Sequence, residues 1–130
     1  MTPAAIRAMF RRDRAMFARV YPSVARVTLH IVPRVCPDGN TCAPRDLAWY
    51  EDGRVFILTR ALRLSRLKCR ALLAHELGHA ADRRRWQNGS EQRADDIAAR
   101  VLGQLIRYDR RNFVQTLGPG LYPRPLHLHT

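Results

Sequence analysis

His75-Glu76-Leu77-Gly78-His79 is the pentapeptide of this chain whose residue types and spacing can do chemistry. On a helix of about 3.6 residues per turn, two histidines four apart stand one above the other, so both imidazoles reach one zinc ion about 2 Å from each nitrogen. Glu76 projects from nearly the same face without being forced onto the metal. That position suits it to take a proton from a water acidified by the metal and to hand it to a departing amine. The plain alternative makes His75 and His79 ordinary helix histidines, satisfied by hydrogen bonds or by water.

Three features of the surrounding sequence favour the metal. Leu73, Leu77, Ala80 and Ala81 supply an apolar side around the turn from the histidines, which places the pentapeptide on a helix. An acidic residue, Glu91, opens the next helix after a short connection and is the candidate third ligand. Asp95, one helical turn further, is placed to hydrogen-bond the far nitrogen of a ligating histidine and so hold its tautomer. Asp82, three residues after His79, is either a similar support or a solvated helix residue. Glu91 also suits a helix N-terminus through the dipole alone, and Asp96 with Arg100 reads as a surface pair. His127 and His129, near the terminus, read as incidental.

The elements that must position these residues are legible in outline. Ile6, Met9, Phe10, Phe17 and Val20 recur at helical spacing and predict an amphipathic N-terminal helix from about Pro3 to Val20. From Arg26 to Val32, Val27, Leu29 and Ile31 alternate with Arg26, Thr28 and His30, the period of a half-buried strand that Pro33 ends. The segment from Arg34 to Arg45 carries Asp38-Gly39-Asn40 and prolines and reads as a loop. Leu47–Tyr50 and Arg54–Thr59, separated by Glu51-Asp52-Gly53, predict an antiparallel hairpin. Ser65 is a candidate N-cap for a helix running to about Arg85, and Asn88-Gly89 breaks the chain. A last helix is expected from Ser90 through Leu105 and Ile106, with Arg93, Arg100 and Arg107 along its wet side. From Leu117 to Thr130, Gly118-Pro119-Gly120, Pro123 and Pro125 predict an extended tail.

The fold class that follows is α+β in one domain spanning residues 1–130: N-terminal helix, small three-stranded sheet, active-site helix and glutamate helix. His75-Glu76-x-x-His79 followed by Glu91-x-x-Ala94-Asp95 resembles the gluzincin metallopeptidases, and the short chain with a small sheet ahead of the helix looks like the single-domain minigluzincins. Leu47 to Ala99 is also similar to the immunity-region metallopeptidases of mobile elements. The resemblance implies a zincin-like minimal domain and a zinc ion with three protein ligands and one water. It implies a sheet edge along the cleft that receives an extended peptide as an added strand, from either hairpin strand. Such enzymes often stabilise the oxyanion with a Tyr or His outside the zinc motif, here Tyr50, Tyr108 or Tyr122. Minigluzincins are latent through a terminal segment lying across the cleft, which makes Leu117–Thr130 a candidate for that role.

Bulk properties narrow the rest. With 46% apolar residues, the chain can fold as a globule. A formal charge of +12, nearly all arginine with Lys68 as the sole lysine, fits either a nucleic-acid partner or arginines spread over solvated faces. Cys36, Cys42 and Cys69 are an odd number and read as free thiols in a reducing compartment. No segment has the length of a membrane span or a secretory signal, so a cytoplasmic monomer acting on a protein or peptide substrate is expected. Two alternatives stand beside the peptidase: a basic nucleic-acid-associated protein, and a zinc-stabilised binding module without activity. DNA-repair metallopeptidases with the same pentapeptide take a third histidine where this chain offers Glu91.

Overall fold

Thr2 and Pro3 start the first helix: the Thr2 hydroxyl accepts a hydrogen bond from the Ala5 N–H at 3.1 Å, and Pro3 occupies the first turn, where its missing N–H costs nothing. Helix α1 (Pro3–Val20) buries Ile6, Met9, Phe10 and Phe17 on one face. The computed structural model describes residues 1–33, 47–84, 86–109 and 114–121. Cys36, Cys42, Tyr122, His127 and His129 lie outside the described residues, as do the side chains of Arg107 and Tyr108.

After a 3₁₀ turn (Pro22–Arg26) the chain enters β1 (Thr28–Val32), then β2 (Ala48–Glu51) and β3 (Arg54–Leu58). The predicted hairpin is present: Asp52 and Gly53 both take positive φ, at 46° and 77°, the pair of left-handed residues that a tight turn between twisted strands requires. The sheet is mixed, in the order β1-β3-β2, with β1 parallel and β2 antiparallel to β3. Because β3 is central, β2 is the hairpin strand left at an edge among the described residues. Leu29, Ile31, Ala48, Tyr50, Val55 and Ile57 point to the core, while His30, Phe56 and Trp49 stack across the other face at centroid spacings of 5.2 Å.

A second 3₁₀ turn (Thr59–Arg63) leads to α2 (Arg66–Ala81), capped by Ser65, whose hydroxyl accepts from the Lys68 N–H at 3.3 Å. Every residue from Ala71 to Ala81 is buried. α2 is therefore the central helix of the molecule, with α1, the sheet and the following elements packed around it. Asp13 of α1 is buried and takes a forked pair of 3.0 Å hydrogen bonds from Arg70, which pins α1 to α2 with the charge neutralised.

Helix α3 (Ser90–Leu102) is shorter than its apolar pattern predicts. Gly103 adopts φ 71° and donates its N–H to the Ala99 carbonyl at 2.8 Å, the left-handed stop that helices commonly use. Leu105 and Ile106, expected to continue the helix, instead lie in β4 (Gln104–Asp109), paired antiparallel with β5 (Val114–Leu121). The expected extended tail is thus a strand up to Leu121. β5 tolerates Pro119 because, among the described residues, it pairs on one side only, with β4, and the pairing shifts register between Gln104 and Ile106. β5 packs against α2, and residues 122–130 are outside the described set. The architecture is α+β, with a mixed three-stranded sheet and a two-stranded one among the described residues. No helix in them is long and apolar enough to cross a membrane.

Candidate metal centre

α2 and α3 pack together with their backbones close at Gly78 and Ala94. A Cβ on Gly78 would lie 2.3 Å from the Ala94 carbonyl oxygen, so glycine there lets the second helix pass directly beneath the histidines. This crossing brings Glu91 and Asp95, one turn apart on α3, onto His75. The His75 Nδ1–H donates to the Asp95 carboxylate at 2.7 Å, and the Nε2 side of the same ring faces Glu91 at 2.9 Å. The second Glu91 oxygen is 3.0 Å from Nε2 of His79, and the two imidazoles stand edge to face with centroids 4.6 Å apart.

One donor atom from each of His75, His79 and Glu91 lies within 4.8 Å of the other two, a group that can hold a metal ion. The donor chemistry fits. Asp95 secures the Nδ1 proton of His75 and leaves Nε2 for a metal, the outer support that ligating histidines ordinarily have. Both histidines are buried, at 3% and 2% exposure, whereas the Glu91 side chain is 71% exposed. The group is thus buried on the histidine side and reaches solvent on the Glu91 side.

The electrostatics agree with this geometry. Burial opposes charge on His75, but the hydrogen bonds to Asp95 and Glu91 outweigh it and raise its pKa to about 10. The hydrogen bonds from His75 and then His79 hold Glu91 well below the usual carboxylate range. Burial pushes Glu76 up, against the pull of the two histidines, which makes it a stronger base than a surface glutamate. Glu76 is 6% exposed and close enough to feel His75, His79, Glu91 and Asp95.

Asp82 is buried and not solvated, and its carboxylate engages the α2–α3 connection. It ends α2, one carboxylate oxygen accepting from the Arg84 N–H at 3.0 Å and the other from Arg93 Nε at 2.9 Å. An acid buried at a helix C-terminus opposes the dipole, so it needs a cation. Arg93, expected on the wet side of α3, supplies that cation and also donates to the Arg84, Gln87 and Asn88 carbonyls, tying the α2–α3 connection together. Helix α2 accordingly stops at Ala81 instead of continuing to about Arg85.

Trp86 in that connection was not singled out by its sequence context. Its ring lies 4.9 Å from that of His79, tilted by 32°, while 61% of its surface is exposed. Its signal was only a bulky aromatic in a turn-rich segment. Among the oxyanion candidates, the Tyr50 hydroxyl accepts the Gly53 N–H at 3.0 Å in the β2–β3 turn. Cys69 is a buried free thiol donating to the Ala61 carbonyl, and burial raises its pKa. Comparison with family models, with curated proteins and with solved structures finds no match to this chain.

Proposed function

We propose that the chain is a zinc-dependent endopeptidase of the gluzincin type, with His75, His79 and Glu91 as the metal ligands and Glu76 as the general base. The observation that carries this reading is the convergence of the three ligand atoms at an open-sided site, with His75 anchored from behind by Asp95. Two imidazoles and a carboxylate suit zinc, which there supplies Lewis-acid polarisation of a carbonyl and acidification of water. Two histidines and one carboxylate also suit iron, so metal analysis of the purified chain is the first check.

Glu76 takes up the proton of the attacking water and returns it to the amine as the peptide bond breaks. Its raised pKa fits that traffic, because a carboxylate of ordinary pKa is too weak a base to take up the proton efficiently. Asp95 keeps the His75 ring in one tautomer throughout. The edge strand β2, which packs on α2, is the element along which an extended peptide can lie by adding its backbone to the sheet.

Glu76→Gln tests the mechanism. The variant should retain its metal and lose hydrolysis of a casein substrate by roughly 10²–10⁴-fold. Undiminished turnover would exclude Glu76 as the base, and loss of metal would place it among the ligands.

A further inference from the structure

Trp86 holds a backbone conformation that its side chain disfavours. The Gln87 N–H donates to the Arg84 carbonyl at 3.0 Å, closing a turn in which Trp86 is the third residue, with φ at 70°. That position ordinarily belongs to Gly or Asn, since a Cβ in the left-handed region meets the following carbonyl. The strain is sustained by Arg93, which gathers the carbonyls of Arg84, Gln87 and Asn88 on both sides of the tryptophan, and by Asp82, which holds Arg93. The braced turn thus presents a large aromatic side chain at 61% exposure. Part of the indole covers His79, and the greater part faces solvent beside the open metal site.

Building on the peptidase reading above, we propose that Trp86 is a substrate-contacting residue whose exposed indole face takes an apolar or aromatic side chain of the peptide next to the scissile bond. A peptide with its scissile carbonyl among the His75, His79 and Glu91 donors has its neighbouring residue about 3.8 Å further along the chain. The indole stands against His79, one of those donors, with ring centroids 4.9 Å apart, so it lies within reach of a residue adjoining the scissile bond. Tryptophan suits the task because its broad rigid face offers contact area at little cost in rotamer freedom. The site therefore selects peptides carrying Phe, Leu or a similar residue there over peptides carrying a small polar one.

The test separates binding from turnover. In the zinc-loaded Glu76→Gln chain, fluorescence polarisation compares two fluorescein-labelled nonapeptides that differ only in a central Phe or Ser. Trp86→Gly should weaken the Phe peptide by on the order of tenfold and leave the Ser peptide unchanged, while Trp86→Phe restores most of the preference. Glycine relieves the left-handed strain, so the melting temperature and zinc content of Trp86→Gly should match or exceed those of the parent. Trp86→Asn, also at home in that region, serves as a second variant. Equal loss for both peptides, no loss for either, no binding of either to the parent, or a fall in zinc content as the main effect would each overturn the assignment. Failure of the peptidase reading shows separately, as no hydrolysis of either peptide by the wild-type chain.

Discussion

Asp95 is the residue whose removal most cleanly distinguishes a metal site from a hydrogen-bonded histidine pair. Asp95→Asn keeps its shape but withdraws the charge that orients His75, and metal affinity should fall by roughly 10–100-fold in competition with a chromogenic chelator. An unchanged affinity would show that the carboxylate does not orient a ligand. His75 also fixes the pH dependence. With a pKa near 10 the metal-free chain carries an imidazolium at neutral pH, and a metal must displace that proton. Metal affinity should therefore rise about tenfold per unit from pH 6.5 towards 9, and equal affinities at pH 6.5 and 8.5 would refute it. Stability of the metal-free chain runs the other way. A histidine raised from 6.5 to about 10 contributes stability fully present below 6.5 and lost as pH rises through 10. Glu91, lowered by the same contacts, contributes stability present above its ordinary 4.5 and lost as pH falls through its depressed value.

Between elements, the decisive contact is the crossing of α2 and α3. Gly78→Ala places a methyl group where the Ala94 carbonyl now lies, and neither helix backbone can yield without moving Glu91 and Asp95 off the histidines. The variant should lose about 1–3 kcal/mol in urea unfolding and bind metal more weakly than that loss alone explains; wild-type behaviour in both would show that the crossing tolerates separation. The starts of both helices were readable, because Ser65 and Asn88-Gly89 act within a few residues of themselves. Their ends were not. Asp82 terminates α2 through Arg93, eleven positions away, and Gly103 stops α3 although the apolar period runs on into Leu105 and Ile106.

Across the whole molecule, the metal would join the central helix to α3, and anything that binds only the folded chain stabilises it by mass action. At a free zinc concentration about 100 times the dissociation constant, the gain is about 2.7 kcal/mol, or roughly 10 °C in melting temperature, reversed by a chelator. A melting curve indifferent to zinc and to chelator would remove the metal from the account. The same chain of contacts divides what was legible from what was not. Sequence alone determined the α+β class, the hairpin, the paired histidines with Glu76, and the candidacy of Glu91 and Asp95, because periodicity, caps and helical spacing are local properties of neighbouring residues. Only the tertiary structure decided that Asp95 and Glu91 grip opposite sides of His75, that Arg93 braces the connection through Asp82, that β2 and not β3 is the hairpin strand at an edge among the described residues, and that Trp86 stands beside His79. Those outcomes depend on how closely two helices approach and how one strand orders against another, and such separations leave no period in the order of the residues.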